Sequence, residues 1–400
     1  MSRKDGYDAI VIGAGIIGLS CAYYLTKAGK CVLVLERGQV GSGTSGACDE
    51  MILLQSKAPG LSLEMAFVSL DIYRSLQAEL GEDLEFETRG GMIIIEKAEH
   101  LPIMKGFVAK QRSFGLNVEI LSKKEAKIKQ PFVSDSVVAS TYSPDDSQVN
   151  PLRVMFALLR AGTRAGMALK RGSEVTSVAR TVWDSWEVAT AGGHVYSSDV
   201  VVNTAGVWAP RIASLVNLLL PIEPKRGQIV VTEPIHPFGE TNAWDSEYIV
   251  SKLMPDLPRD ERAERLGLGF ALSRTRNGNY LIGSTREYVG FDKDTTHEAI
   301  EAISAKAVSL FPALANVRII RSFSGLRPAC GDGKCILGED PQNPGFFVAA
   351  GHEGDGIALA PVTGKFLADL VCGRKTELDV AELSPARFRK AEVMTKHLNW

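Results

Sequence analysis

The sequence predicts an α/β protein with a mostly parallel sheet in its larger domain and an α+β second domain built around a smaller sheet. Two observations predict the larger domain: a strand, glycine-rich turn and helix near the N-terminus, and the same succession near residue 350. A third observation, a hairpin signal between short apolar runs in residues 221–291, predicts the second sheet. The length of 400 residues is sufficient for both domains.

The composition excludes several classes of protein. The chain carries 45 Lys and Arg against 47 Asp and Glu, so its formal net charge of −2 gives no basic surface for nucleic acid. No apolar run approaches the roughly 20 residues of a membrane span. We therefore expect a cytoplasmic protein, with attachment to the inner face of the membrane through partners as the alternative. Six cysteines and six histidines form no metal-ligand pattern, so no metal is expected.

The N-terminal unit is the strongest local signal. Residues 8–13 predict an apolar strand, residues 19–28 a helix, and residues 31–35 a second strand that ends at Glu36. Between the first strand and the helix lies a G-x-G-x-x-G motif, formed by Gly13, Ala14, Gly15, Ile16, Ile17 and Gly18. In this order the motif predicts a Rossmann-like dinucleotide site rather than a chance turn.

Each part of this unit has a physical role. Gly13 permits the tight turn, Gly15 lets backbone N–H groups approach a pyrophosphate, and Gly18 lets the helix pack close to the strand. The N-terminus of the helix adds N–H donors and the positive end of its dipole. Glu36 can accept hydrogen bonds from ribose hydroxyls, which disfavours the 2′-phosphate of NADP. The motif alone leaves FAD and NAD open.

Three further segments carry related signals. Residues 41–46 can form a second phosphate-binding nest or an ordinary surface loop. Residues 200–203 predict a buried strand that ends at Ala205 and Gly206, and residues 346–350 predict another. The glycine-rich residues 351–357 then open a helix that runs to Val371, again a site suited to negative charge.

Together these segments resemble the D-amino-acid oxidase-type family of FAD-dependent oxidoreductases over nearly the whole chain. The matching motifs are the N-terminal fingerprint, Gly43-Thr44-Ser45, VNTAGVW at residues 202–208, GLRP at residues 325–328 and GHEGDGI at residues 351–357. The resemblance implies one FAD, around which the first and last segments meet. It implies that FAD is bound by Gly13, Ala14, Gly15, Ile16, Ile17, Gly18, Glu36, Arg37, Thr44, Ser45, Val175, Ala205, Gly206, Gly325, Gly351, His352, Gly354, Gly356 and Ile357.

The resemblance also divides the chain into two discontinuous domains. Residues 1–84, 146–220 and 325–400 are expected to form the Rossmann-like FAD-binding domain, and residues 85–145 and 221–324 the substrate-binding domain. Within the second domain, residues 228–233, 269–274 and 280–283 predict strands, and Asn277-Gly278-Asn279 predicts the turn of a hairpin. Residues 89–95 resemble an earlier strand of the same domain.

The family's chemistry points to one arginine. Its members oxidise amines by hydride transfer from the α-carbon to flavin N5, and much of that chemistry belongs to the cofactor. An amino-acid substrate also needs a partner for its carboxylate, which an arginine fork provides bidentately. Arg327 resembles the carboxylate-binding arginine of the GLRP motif and is our catalytic candidate, with a structural ion pair as the alternative. His352 lies beside the expected flavin and is a tempting general base. However, the backbone of its glycine-rich turn, which positions the cofactor, explains this segment without a catalytic role for the side chain.

A finer resemblance concerns partners. Residues 280–291 (YLIGSTREYVGF) are similar to flavoprotein subunits of heteromeric proline, hydroxyproline and opine dehydrogenases and of hydrogen cyanide synthase, and more distantly to glycine and sarcosine oxidases. This implies oxidation of a small amine that carries a carboxylate. It also implies a hetero-oligomer whose partner subunits carry the electrons onward, and in some relatives an FMN at a subunit interface is part of that route. The alternatives are a stand-alone glycine- or sarcosine-type oxidase that releases hydrogen peroxide, and a flavin-binding subunit without turnover.

The mode of FAD attachment is also an expectation from the resemblance. Sarcosine-oxidase-like members tether FAD through a cysteine, and Gly325 stands at that position here. We therefore expect non-covalent FAD, although Cys330 lies close enough in sequence to keep a covalent bond open.

Overall fold

The computed structural model describes residues 6–237, 239–254 and 256–389. Residues 1–5 and 390–400, the outer ends of the expected FAD-binding domain, lie outside the described residues. The strands are β1 (Gly6–Ile12), β2 (Val32–Leu35), β3 (Met51–Ile52), β4 (Glu87–Thr88), β5 (Gly91–Ile95), β6 (Glu119–Ser122), β7 (Ala139–Ser143), β8 (Ser147–Gln148), β9 (Ala168–Lys170), β10 (Val175–Arg180), β11 (Trp186–Thr190), β12 (Val195–Asn203), β13 (Ile222–Thr232), β14 (Asn242–Asp245), β15 (Ala271–Arg274), β16 (Tyr280–Gly283), β17 (Ile319–Cys330), β18 (Ile336–Glu339) and β19 (Phe346–Ala350).

The α-helices are α1 (Ile16–Lys27), α2 (Leu61–Leu80), α3 (His100–Ser113), α4 (Lys123–Lys129), α5 (Pro151–Arg164), α6 (Ala209–Ser214), α7 (Glu247–Leu253), α8 (Glu261–Arg265), α9 (His297–Leu310) and α10 (Gly356–Val371). Short 3₁₀ helices span Thr44–Gly46, Gly206–Trp208, Pro312–Asn316, Ala381–Leu383 and Pro385–Phe388. None of these helices, within the part of the chain that the structure describes, is long and apolar enough to cross a membrane.

The first large sheet combines the N-terminal strand β1 with β18 and β19 from the C-terminal part of the chain. Its order is β10-β11-β12-β1-β2-β9, and β19 pairs with β12 while β18 pairs with β19. Strand β1 runs parallel to β2 and β12, β2 to β9, and β12 to β19, so the predicted parallel sheet is confirmed. Because parallel strands end at the same edge, the turns after β1, β2, β12 and β19 lie together, where open α/β sheets bind ligands.

Helices cover one face of this sheet and fix the position of α10. A core of apolar side chains joins α1, α2, α5 and α10 to the strands. Helices α1 and α10 are in close contact, since a Cβ at Gly364 would lie only 2.6 Å from the backbone carbonyl carbon of Ser20. The Tyr73 hydroxyl of α2 donates to the Ile357 carbonyl at 2.7 Å. Rigid packing therefore sets where the N-terminus of α10 lies.

The second large sheet has the order β17-β13-β16-β15-β14-β5-β7-β6. Its longest pairing is antiparallel, between β13 and β17, and places Lys225 opposite Arg327 and Gly227 opposite Gly325. The predicted hairpin is confirmed: β15 and β16 pair antiparallel around Gly278, whose φ is +88°. Strand β5 belongs to this sheet, as the resemblance implied.

Two helix boundaries differ from the prediction for a backbone reason. Helix α1 begins at Ile16 rather than residue 19, because Gly15 is already the extended N-cap residue. Helix α10 begins at Gly356 rather than at residue 351, because Gly351 and Glu353 have φ values of +75° and +48°, which a right-handed helix excludes. Residues 351–355 instead form a turn that leads from β19 into the helix.

A small sheet, β3-β8-β4, lies beside a buried polar network. The buried carboxylate of Asp146 accepts hydrogen bonds from the Leu54 backbone N–H and the Gln55 side-chain amide, both at 2.6 Å. The backbone carbonyls of Gln55 and Lys57 accept from the Gln111 side chain at 2.9 and 3.0 Å. These bonds hold residues 54–57, and with them Lys57, beside α3 and the second sheet, since the Gln55 side chain also donates to the Gly91 carbonyl of β5 at 2.9 Å.

Candidate active site

A cavity of about 390 Å³ borders both large sheets. Residues from the turns after β1, β2, β12 and β19 line it, together with strand β17 and residues 41–57. All of the predicted site residues except Ala14 and Gly18 line it, namely Gly13, Gly15, Ile16, Ile17, Glu36, Arg37, Thr44, Ser45, Val175, Ala205, Gly206, Gly325, Arg327, Gly351, His352, Gly354, Gly356 and Ile357. The structure thus brings segments together that are more than 300 positions apart in sequence.

Residues 13–18 with Glu36, here called the dinucleotide turn, form one wall. Gly13 has a φ of +111°, which side chains rarely adopt. The two oxygens of the Glu36 carboxylate accept from the backbone N–H groups of Ala14 at 2.8 Å and Gly38 at 2.7 Å. A Cβ at Gly18 would overlap the Gly13 carbonyl oxygen and lie 2.6 Å from Thr204 Oγ1. Ala14 and Gly18 do not line the cavity, and they act on the shape of the turn through these contacts.

The loop of residues 41–47 continues this wall. Ser45 Oγ accepts from the Ile16 backbone N–H at 3.1 Å, at the start of α1. The Thr44 hydroxyl donates to the Leu326 carbonyl of β17, so the loop joins the two sheets. Arg37 stacks on Trp208 with its guanidinium carbon 3.6 Å from the ring centroid. Residues 41–46 were expected to form either a second phosphate-binding nest or an ordinary surface loop. Residues 41–45 line the cavity, and Thr44 and Ser45 bond to opposite sides of it, as a nest requires.

The turn before α10 forms the facing wall. His352 is buried and its Nε2 lies 3.0 Å from Thr363 Oγ1. Burial lowers the pKa of His352 to about 4, so its ring is neutral at pH 7. Asp355, the N-cap residue of α10, pairs with Lys57 Nζ at 2.6 Å, and the Lys57 side chain is only 2% exposed. A buried cation and a helix N-terminus thus face the same part of the cavity.

Arg327 is held by neutral acceptors. Its Nη1 donates to the Thr285 carbonyl at 3.0 Å and its Nη2 to Ser284 Oγ at 2.7 Å. Burial lowers the pKa of the guanidinium, and the charge of Arg286 lowers it further. Within the described residues no carboxylate forms an ion pair with it. The ion-pair alternative therefore has no partner here.

Several residues around Arg327 are absent from the predicted site, although Ser284 and Arg286 lie in residues 280–291, which carry the finer resemblance. Arg327, Gly227, Tyr248, Ser284 and Arg286 line one part of the cavity, here called the arginine pocket. A Cβ at Gly227 would overlap the Arg327 guanidinium. A glycine inside a strand often marks such a close approach, so Gly227 carries a signal that the sequence analysis did not use.

The cysteines near the cavity are thiols rather than thiolates. Cys48 lines the cavity and donates to the Ser45 carbonyl at 3.4 Å, and burial raises its pKa to about 12. Cys330 donates to Asp332 Oδ1 at 3.2 Å, and burial raises its pKa to about 12 as well. Gly325 leaves no room for a side chain, because a Cβ there would lie 2.7 Å from the Ala47 carbonyl oxygen. Among the residues described, no three His, Cys, Asp or Glu side chains meet in a group that could hold a metal ion.

The residues present fit a dinucleotide. A side chain at Gly13 would meet strain and at Gly15 would approach Ser45 Oγ to 3.1 Å, so the backbone of the turn stays open to a ligand. The N-cap residue of helix α1, Gly15, makes no side-chain cap bond; apart from the Ile16 N–H, which donates to Ser45 Oγ, the first N–H groups of the helix have no side-chain partner among the described residues and can face a phosphate. The parallel sheet and the dinucleotide turn are those of a dinucleotide-binding protein, and the arginine pocket opens into the same cavity.

Comparison with known proteins identifies the family to which the chain belongs. The chain belongs to the DAO family of FAD-dependent oxidoreductases, whose model matches residues 8–370. It is 30% identical over 394 residues to glycine oxidase of Geobacillus kaustophilus, covering 95% of this chain and 97% of the relative. It is 28% identical to hydrogen cyanide synthase subunit HcnC of Pseudomonas aeruginosa, covering 96% of each chain. The family predicted by resemblance is confirmed, and the protein is an FAD-dependent amino-acid or amine oxidase or dehydrogenase.

Solved structures show the same fold. The crystal structure of glycine oxidase from Geobacillus kaustophilus has a TM-score of 0.86 at 28% identity, covering 96% of this chain and 99% of that chain. L-proline dehydrogenase from P. horikoshii has a TM-score of 0.85 at 24% identity, covering 96% and 98%. The predicted fold class, a Rossmann-like FAD-binding part with a second sheet, is confirmed.

Proposed function

We propose that this chain oxidises a small amine that carries a carboxylate, such as proline, hydroxyproline, an opine or a glycine-like amino acid. The observation that carries the proposal is the Arg327 guanidinium, which lies in the cavity wall with two neutral acceptors and no ion-pair partner. A substrate carboxylate would complete its coordination by a bidentate, charge-assisted pair. When bound, FAD supplies the acceptor for the hydride that leaves the α-carbon.

The chain's own residues position the substrate. Arg327 would fix its carboxylate by a bidentate, charge-assisted pair. His352 is neutral at pH 7 and paired with Thr363, so it orients the turn before α10 rather than taking a proton from the substrate. The start of α10 would supply positive potential to the cofactor's ring system, while Lys57, paired with the N-cap residue Asp355 at 2.6 Å, holds that end of the helix in place.

We further propose that the chain is the catalytic subunit of a hetero-oligomeric dehydrogenase. Support comes from HcnC, a relative of full length whose name describes a subunit of hydrogen cyanide synthase. In that arrangement electrons leave through partner subunits, with an FMN at the interface as one route. The FAD-binding domain would comprise residues 1–84, 146–220 and 325–400, the remainder forming the substrate-binding domain.

A stand-alone oxidase is the second candidate. It is favoured by the 30% identity to a glycine oxidase over nearly the whole of both chains. Oxygen would then be the electron acceptor and hydrogen peroxide the product. The two candidates share the substrate chemistry of Arg327 and differ only in the acceptor.

The test is anaerobic reduction of the purified flavoprotein by candidate amines, followed by admission of air. We expect glycine, sarcosine, L-proline, a hydroxyproline or an opine to bleach the flavin absorbance. Slow reoxidation in air, with fast reoxidation by a quinone or dye, supports the dehydrogenase, whereas rapid reoxidation with stoichiometric peroxide supports the oxidase. A flavin that no carboxylate-bearing amine reduces would contradict the proposed substrate class and favour a subunit without turnover.

The mode of attachment has its own measurement. We propose non-covalent FAD, because Gly325 has no side chain and the thiols of Cys48 and Cys330 are not ionised at neutral pH. Acid precipitation should release all flavin into the supernatant, where chromatography distinguishes FAD from FMN. Yellow colour retained by the denatured pellet would overturn this proposal.

A further inference from the structure

A second arginine lies in the arginine pocket. Arg286 lines the same cavity as Arg327, and so does Ser284, the hydroxyl partner of Arg327. Thr285, between them, does not line it, and its hydroxyl donates to Glu287 at 2.7 Å. This alternation is that of extended chain, in which residues two positions apart share a face. Ser284 and Arg286 therefore present their side chains to the same side as the Arg327 guanidinium.

The surroundings of Arg286 are shaped for its guanidinium. The guanidinium carbon lies 4.0 Å from the centroid of the Tyr248 ring. On the other side, a Cβ at Gly269 would lie 2.7 Å from Arg286 Nη1, just as a Cβ at Gly227 would overlap the guanidinium of Arg327. Each arginine of the pocket thus lies against a glycine that leaves room for its fork.

Arg286 has no polar partner on its side chain. Within the described residues, its guanidinium forms no ion pair and no hydrogen bond, and only its backbone N–H is bonded, to the Leu266 carbonyl at 2.9 Å. Burying part of a charged fork without hydrogen bonds costs free energy. A ligand anion would remove that cost.

The carboxylates near the cavity form their ion pairs with other cations. Glu353 pairs with Lys225 at 2.8 Å and with Lys252 at 3.9 Å, and these two cations, with a smaller contribution from the charge of Arg286, lower its pKa to about 2. Asp355 pairs with Lys57. Glu174, which also lines the cavity, pairs with Arg211 at 3.1 Å. Asp49 also lines the cavity, but forms no ion pair with either arginine of the pocket.

We infer that the substrate is an amine that carries two carboxylates, one bound by Arg327 and the other by Arg286. This inference rests on the proposed function and narrows it. A monocarboxylate such as glycine would leave one guanidinium without an anion, whereas an amine flanked by two carboxymethyl or related groups supplies one anion to each. Stacking on Tyr248 fixes Arg286 in place, which reduces the entropy lost when its fork binds.

The experiment compares ligands that differ by one carboxylate. Iminodiacetate and sarcosine are secondary amines that share one carboxymethyl group, and diglycolate and methoxyacetate are their unreactive ether counterparts. Binding of the ethers to the holoprotein is measured by perturbation of the flavin spectrum and by calorimetry, so that no turnover is needed. A charge-assisted hydrogen bond contributes about 1.5 to 3 kcal/mol, so wild type should bind diglycolate about 10- to 100-fold more tightly than methoxyacetate.

The variants assign that preference to one residue. Arg286→Met keeps the stem and removes the charge, and it should bring the two ethers within about 3-fold of each other, less than 1 kcal/mol apart. Arg286→Lys should restore part of the preference, because it keeps the charge without the fork. Arg265→Met is the matched control, since it removes the same charge from an exposed site paired with Glu298, and it should leave the preference unchanged.

The outcomes separate this inference from the proposed function. If sarcosine or another monocarboxylate reduces the flavin and diglycolate binds no better than methoxyacetate, only the dicarboxylate assignment is overturned. Retention of the diglycolate preference in Arg286→Met also overturns it. If no carboxylate binds and no amine reduces the flavin, the proposed function and this inference are overturned together.

Discussion

The dinucleotide turn and the arginine pocket line the same cavity but are built in opposite ways. Residues 13–18 and Glu36 belong to one strand–turn–helix–strand unit, and the bond that joins them, from the Ala14 N–H to Glu36, spans 22 positions. The arginine pocket draws on β13, α7, the segment after β16, and β17, which meet only through the antiparallel register of the second sheet. The turn therefore depends on backbone shape and the pocket on side-chain placement. Substitutions in the dinucleotide turn should abolish binding of the cofactor, whereas substitutions in the arginine pocket should leave the cofactor bound.

The largest effect is expected for Gly18→Ala. Its Cβ would overlap the Gly13 carbonyl oxygen, a backbone atom that cannot move without opening the turn. We expect a cost of about 3 kcal/mol or more, and purified protein without bound flavin. Flavin content per chain and the thermal midpoint measure it.

Gly106→Ala is the matched control for that substitution. Gly106 also lies inside a helix, α3, but a Cβ there would meet nothing within 4 Å. Alanine is the better helix former, so this variant should keep its flavin and be as stable as wild type or slightly more stable. Full flavin content in both variants would show that close packing at Gly18 is not what holds the turn.

The sequence predicted the turn well because its determinants are local. Strand β1, the glycine spacing and Glu36 each satisfy a short-range rule, and the structure departs by three residues at the start of α1 and by one or two residues at the end of α1 and the bounds of the two strands. The arginine pocket shows the opposite. Arg327 is predicted through its motif, whereas Arg286 lies in residues 280–291, whose resemblance indicates partners and not a site role, and Tyr248 has no signal. Long-range contacts bring both residues to the cavity.

The next effect is expected for Arg327→Met. Methionine keeps the length of the stem but removes the fork that would bind the substrate carboxylate. Removing one partner of a buried, hydrogen-bonded charge pair costs about 2 to 5 kcal/mol, so kcat/KM should fall about a thousandfold with the reducing amine. Rapid-mixing reduction measures it, with Arg265→Met as the control. A variant that keeps its flavin and also keeps its substrate affinity would remove Arg327 from the site.

A smaller effect is expected for Gly227→Ala. Its Cβ would overlap only the guanidinium of Arg327, the far end of a flexible side chain, so the fold should survive while the fork is displaced. A displacement of about 1 Å can cost about a hundredfold in rate. In the Arg327→Met background the same substitution should change kcat/KM by less than about 3-fold, because the displaced group is gone. Equal losses in both backgrounds would mean that Gly227 acts through the strand rather than through Arg327.

The smallest effect concerns His352, which lines the cavity between the two regions yet should affect stability more than turnover. Its pKa is lowered to about 4 in the folded chain by burial, against about 6.5 when unfolded. Between these values the unfolded chain binds a proton that the folded chain does not, so this residue destabilises the fold as the pH falls from 6.5 towards 4. The loss should reach about 2 kcal/mol at pH 5 and vanish above pH 7. The His352→Gln variant can still hydrogen-bond Thr363 but has no group that takes up this proton on unfolding. Its thermal midpoint should therefore rise relative to that of wild type when the pH is lowered from 7.5 to 5. An identical gap between the two proteins at both pH values would mean that His352 titrates normally, and therefore that solvent reaches the turn before α10.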